Sequence, residues 1–311
     1  MKAWELRHVP IKFQLGDLTL FRVVLLLQTR SEPLNPGGPA VEFAPPPSEL
    51  LESGSQGFMV RALPLLARLP TLSAVGTYLR YVPLQYSHCY IDLRTSFDDY
   101  QSKFSPKTRS TINRKVRKYA ERSGGQVDWR TYATAAQMDE FLGYARQVSA
   151  RSYQERLLDA GIPDTEEFIA HMRQLAAEDR VRAHVLFDNG RPVSYLYCPV
   201  EEGVLTYSYL GYDPDYASLS VGTVLQWLAV RQMYVESTFE FFDFTEGQSE
   251  HKRLFATHES LRANVLFLRR TFRNVLLVHC HLRVDRFSRW LGSLLERVGA
   301  KAWVRRRLRL S

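Results

Sequence analysis

The chain has 311 residues, 45% of them hydrophobic and 24% charged, which excludes a disordered tail and leaves room for two lobes. Cys89, Cys198 and Cys280 are odd in number and far apart, which argues against a disulfide framework or a Cys-x-x-Cys metal site. No apolar run approaches bilayer length, and the longest near the start, Val23 to Leu27, has no cleavable signal pattern around it, so the expected compartment is the cytoplasm.

The net charge of +8 is unevenly placed. From Leu261 to Ser311 there are thirteen Lys/Arg against Asp285 and Glu296, a balance of +11 that leaves −3 for the other 260 residues. A second concentration lies within that acidic remainder. There Lys103, Lys107, Arg109, Arg114, Lys115, Arg117, Lys118 and Arg122 meet only Glu121.

In chain order, Ile11 to Thr29 reads as a hairpin around Gly16-Asp17. Glu32 to Pro47 is rich in proline and glycine and reads as a loop. Phe58 to Leu63 and Thr77 to Leu93 are strand-like, the latter broken at Pro83. Ser105-Pro106 opens a helix, with serine as cap and proline where no donor is needed. Ile112, Val116 and Tyr119 give it one apolar stripe, and basic residues cover the rest, either as a solvated face or as an anion-binding wall.

Ser123-Gly124-Gly125 ends that helix and Gln126 to Tyr132 returns as a strand. Thr134 caps a helix running to about Arg151, and Asp164 with Glu167 forms a capping-box pair for another ending near Glu178. Val181 to Phe187, Pro192 to Val200 and Val204 to Tyr212 then form an antiparallel meander. Past Asp213-Pro214 a turn runs to Ser220, and Val221, Val224, Leu225, Leu228, Val230 and Met233 recur at helical spacing. A helix opening on small residues behind a strand leaves its first N–H groups unpaired, with its positive dipole end outward, and so offers a cradle for phosphate.

Three segments in order carry a family resemblance: FSPKTRSTINRKVRKYAE (Phe104 to Glu121), LSVGTVLQ (Leu219 to Gln226) and FDFTEGQSEHKRLFA (Phe242 to Ala256). Together they resemble GNAT-superfamily N-acetyltransferases of the CelD/BcsL type, bacterial relatives of the FemAB aminoacyltransferases, over roughly residues 90 to 270. The resemblance implies an α/β fold, a GNAT-like mixed sheet flanked by helices in two lobes, the second binding acyl-CoA. It says little about the first 85 residues or the last 40; the expected division is 1–100, a mixed α/β lobe that is either a degenerate GNAT half, as in FemAB relatives, or an unrelated one; 101–270, the acetyltransferase domain with its leading basic helix; and 271–311, a basic amphipathic tail. No internal repeat accompanies that expected duplication.

By the same resemblance the pyrophosphate of acetyl-CoA rests on Leu219, Ser220, Val221, Gly222 and Thr223. The family writes this turn Q/R-x-x-G-x-G/A; here Ala217 stands at the Gln/Arg position and Ser220 at the first glycine. Acetyl transfer requires an amine to lose a proton, a thioester carbonyl to be polarised and a thiolate to be protonated. His251 aligns where relatives often carry the proton-donating tyrosine, and an imidazole with an ordinary pKa of ~6.5 can serve, with a solvent-exposed helix residue as the alternative. Lys252 matches a lysine that neutralises phosphate or developing negative charge in FemAB relatives, with an ordinary surface lysine as the alternative. Asp243 or Glu246 can act as general base, directly or through water, or Asp243 can fix the turn by accepting backbone hydrogen bonds. Tyr207, Tyr209 and Tyr212 read as packing and cleft wall.

Arg114, Lys115 and Lys118 are the candidate acceptor-binding residues. No metal constellation and no nucleotide-hydrolase loop appear, so acetyl-CoA is the expected donor with no metal. The implied acceptor is an amino sugar or cell-surface polysaccharide precursor, as a small molecule or lipid-linked saccharide. The alternatives are a FemAB-like transferase whose basic helix holds aminoacyl-tRNA, and a non-catalytic partner keeping the fold. Residues 284–310 alternate Phe287, Trp290, Leu291, Leu294, Leu295, Val298, Trp303, Val304 and Leu308 with arginines. That pattern is expected either to lie on an anionic membrane at the inner face of the cell membrane, or to pack its apolar stripe on the core.

Overall fold

The computed structural model describes residues 3–16, 18–36, 44–151, 161–247 and 249–297. The chain divides into two compact units, one of residues up to Tyr86 together with those from Leu261 onward, the other Ser87–Ser260. Both boundaries fall inside strands, β5 (Tyr78–Asp92) and β12 (His258–Arg269).

In the first unit, β1 (Glu5–Leu15) and β2 (Leu18–Ser31) form the hairpin expected around Gly16. Strand β2 pairs in parallel with β3 (Gly57–Pro64), which pairs antiparallel with β12. A short β4 (Leu72–Val75) pairs with the start of β5. Strand β5 runs unbroken through Pro83, which stays exposed and so withholds no N–H that the core needs. A long helix, called α7 below (Phe272–Arg297), covers one face of the hairpin. Its Val278 and Leu282 join Leu25, Leu27, Tyr81, Leu266 and Leu268 in one core cluster.

The second unit is α/β, a mixed sheet flanked by helices. The end of β5 pairs antiparallel with β11 (Phe241–Asp243), which pairs in parallel with β9 (Val204–Thr206). Beyond lie β8 (Arg191–Glu201), β7 (Val181–Asp188) and β6 (Asp128–Tyr132), all antiparallel. The expected strand Val204 to Tyr212 is two pieces, β9 and β10 (Tyr209–Tyr212), because the chain leaves the β11 register at Tyr207-Ser208 and continues against β8 only.

Helix α1 (Phe97–Ser102) starts on a Ser96–Asp99 capping box, and α2 (Pro106–Arg122) on Ser105 with Pro106 in its first turn. The α2 stripe buries Ile112 and Tyr119, and the Tyr119 hydroxyl donates to the Phe187 carbonyl at 2.7 Å. Thr134 caps a single 3-10 turn ahead of α3 (Met138–Ser149). The cap of α4 (Glu166–Ala177) is Thr165 rather than Asp164: its hydroxyl, one residue nearer the helix, accepts from the Phe168 N–H. Helix α5 (Val221–Glu236) carries Val224, Leu225, Trp227, Val230 and Met233 into the main core, and α6 (Glu250–Phe255) follows β11.

Candidate active site

The sheet of the second unit opens at one point. Pairing between β9 and β11 ends at Thr206 opposite Asp243, with the Tyr207 N–H donating to the Asp243 carbonyl at 2.8 Å. From there β10 follows β8 while the chain after β11 turns away toward α6. Among the described residues β10 is paired on one side only, so its other edge keeps free main-chain groups.

A pocket of about 230 Å3 lies at this opening. It is lined by Leu210 and Tyr212 of β10, Ala217, the Ser220–Thr223 turn at the head of α5, and His251 of α6. Ser220 precedes the helix in the left-handed conformation (φ 54°), which costs an L-residue strain that glycine escapes. The N–H groups of Thr223 and Val224 both donate to the Ser220 carbonyl. Those of Val221 and Gly222, at the very start, have no carbonyl within the helix to take. A Cβ built on Gly222 would meet only Leu210 and Tyr212 side chains, at 3.7 and 3.8 Å, so the backbone there does not require glycine; a larger side chain would fill the pocket instead.

His251 packs its ring on Phe255, with centroids 5.0 Å apart. Burial, and then the charge of Lys115 on α2, hold its pKa below the usual value and so favour the neutral imidazole. Helix α6, which carries it, is closed at its end by Lys103, whose ammonium donates to the carbonyls of Leu254 and Ala256, each at 2.7 Å. The Lys103 amine also sits 4.2 Å from the Phe104 ring centre, and burial brings its pKa down to about 8.

The expected site residues separate into three groups. Ser220, Val221, Gly222, Thr223 and His251 share the pocket, and Lys115 bears on His251. Leu219 packs against the core. Arg114 and Lys118 are exposed on α2.

Asp243, Glu246 and Lys252 form the third group, at the turn between β11 and α6. Asp243 accepts from the Thr245 N–H at 2.6 Å and lies 2.7 Å from Nε2 of His88, a buried residue of β5. The Lys252 ammonium donates to the Glu246 carbonyl at 2.8 Å, and burial lowers its pKa. Glu246 itself is exposed.

Sequence reasoning missed His88, which reaches Asp243 across 155 residues, and no local pattern announces it. It also missed Gly211. A Cβ there would lie 2.3 Å from the Tyr195 ring, whose hydroxyl shares a 2.8 Å hydrogen bond with Ser149. Among the described residues no group of His, Cys, Asp or Glu is placed to hold a metal.

Residues 106–253 match the model of the Acetyltransferase (GNAT) domain family. No curated protein matches the chain. Among solved structures it is similar to FemX (8% identity, 86% of this chain and 88% of that chain, TM-score 0.48) and to L-PGS from Bacillus licheniformis (14%, 70% and 68%, 0.41). It is also similar to a GCN5-related N-acetyltransferase from Kribbella flavida (10%, 60% and 60%, 0.34).

Proposed function

We propose that the protein transfers an acetyl group from acetyl-CoA to an amine, with the thioester entering at the opening between β10 and β11. One observation carries this reading: within the segment that matches the GNAT domain, the Ser220–Thr223 turn and His251 line the same pocket. The N–H groups of Val221 and Gly222 suit the CoA pyrophosphate, and the open edge of β10 suits the amide-bearing arm of the donor.

The amine nitrogen attacks the thioester carbon and loses a proton as the carbon–sulfur bond breaks. The products are an amide and a CoA thiol. Neutral His251 can take the proton from the nitrogen and return it to the departing sulfur. Burial, and then Lys115, favour the neutral imidazole, and Lys115 adds positive charge where the thiolate develops. Asp243 holds the turn after β11 and pairs with His88, which fits a positioning role better than that of a base.

For the acceptor, the basic face of α2 favours an anionic compound, and the CelD-type resemblance favours an amino sugar or a cell-surface polysaccharide precursor. Under the second reading, transfer from aminoacyl-tRNA, the exposed Arg114 and Lys118 would meet RNA phosphates.

Thermal shift with acetyl-CoA and with free CoA tests the donor. Both should raise the melting temperature, and Gly222→Asp, which adds bulk and like charge to the pocket, should abolish the shift while the unliganded protein melts normally. A parent without a shift at millimolar acetyl-CoA overturns the reading. Binding of bulk tRNA by that parent would select the second.

A further inference from the structure

Helix α7 is apolar on two opposite faces. Toward the hairpin it buries Val278 and Leu282, with Val275 beside them. It is fixed there by polar contacts: Ser288 Oγ accepts from the Gly16 N–H at 2.8 Å. His281 is held between the Tyr81 hydroxyl at Nδ1 and the Lys12 carbonyl at Nε2, 2.5 and 3.1 Å away. The rotation of the helix is therefore set.

Steps of three and four residues place Phe272, Leu276, Cys280, Arg283, Phe287, Trp290 and Leu294 on one line, about 130° around the axis from Val278 and Leu282. All are exposed, Phe272 at 84%, Trp290 at 57% and Phe287 at 50%. The Phe287 and Trp290 rings lie 5.7 Å apart and form one apolar surface. Arg273 and Arg286 flank the line, Arg283 interrupts it, and all three are exposed.

We propose that this outer face of α7 docks on an anionic lipid bilayer. The line from Phe272 to Leu294 runs about 33 Å along the helix axis. A surface so long and narrow suits an interface whose depth is set by headgroups, where tryptophan's amphipathic ring belongs. The charge specifies the partner: between Phe272 and Leu294 the helix carries Arg273, Arg283, Arg286 and Arg289 against Asp285 alone, which an anionic leaflet complements and a zwitterionic one does not. No helix among the described residues is long and apolar enough to cross a membrane, so α7 lies along the surface. This stands independently of the acyl-transfer reading, because every residue used belongs to the other unit.

Flotation of the full chain tests it, with phosphatidylcholine vesicles made with or without phosphatidylglycerol. The protein should rise with the anionic vesicles at low salt and stay below with the neutral ones. Replacing Arg273, Arg283 and Arg286 with Gln should weaken binding about a hundredfold. The variant Phe287→Ser/Trp290→Ser/Leu294→Ser should not rise, yet should melt like the parent, because these side chains are exposed. Trp290 emission should shift to the blue on adding anionic vesicles, and the shift should be missing in Trp290→Phe.

A parent that stays below overturns the proposal, and so does a serine variant that rises as well as the parent. A parent that is dimeric without vesicles, and becomes monomeric in the serine variant, assigns the face to a second copy of the chain and overturns it too.

Discussion

Helices α2 and α7 are both basic and both bury one apolar stripe, yet they use the remaining surface in opposite ways. Outside its buried Ile112 and Tyr119, α2 carries seven Lys and Arg, set mostly among small and polar residues, and one of these, Lys115, bears on the imidazole at the edge of the pocket. Helix α7 presents a second apolar line instead, with arginines at its sides. Charge alone therefore does not identify what a basic helix meets. The residues between the charges do: polar ones leave a face for soluble anions, while Phe and Trp add a surface that gains from leaving water.

The comparison can be broken first at the anchors. Tyr119 is fully buried and its hydroxyl is bonded to a strand carbonyl, so Tyr119→Ala should cost about 3–5 kcal/mol in urea unfolding. A loss under about 1 kcal/mol would mean that α2 is not held as described.

The next effect lies at the pocket. His251→Ala should lower kcat by about a hundredfold or more. Because burial and Lys115 depress the folded-state pKa, the acid limb of the kcat/KM profile should lie below the ~6.5 of an ordinary imidazole. Lys115→Gln removes the repelling charge and should move that acid limb toward higher pH. The linked stability has the same sign: it is present above the unfolded value near ~6.5 and lost as the pH drops through the folded one. An acid limb that Lys115→Gln leaves in place would separate the two residues.

Smaller again is the effect of Arg114→Gln with Lys118→Gln. These side chains are exposed, so stability should change by under about 0.5 kcal/mol, while KM for an anionic acceptor rises a few-fold and depends less on salt. Unchanged acceptor kinetics would make this part of α2 a solvated face.

Much of the second unit is legible in its sequence because its punctuation is local. Ser105-Pro106, Thr134 and the small-residue turn before Val221 each mark a helix start by the chemistry of a few adjacent residues. The break at Tyr207-Ser208 is not legible, since β-branched and aromatic residues run through it and only the partner strand's departure defines it. His88 beside Asp243 is hidden for the same reason. In the tail the helical period is plain, but both faces of α7 are apolar, so the period alone does not say which is inward; Ser288 and His281, polar residues bonded to β1 and its turn, decide it. The expectations for Val298, Trp303, Val304 and Leu308 lie outside the described residues, as does the side chain of Leu295.

Gly211 bears on how readily the site can change its diet. The pocket wall formed by β10 shares its backbone with a glycine pressed against Tyr195, and that ring, part of a separate core cluster, is in turn tied to Ser149. Any side chain at 211 must displace an aromatic ring buried behind the strand, so this point of the wall is closed to gradual substitution. Leu210, Tyr212 and Ala217 line the same pocket without that constraint, and descendants that accept a longer or bulkier acyl group should vary at those three positions while 211 stays glycine.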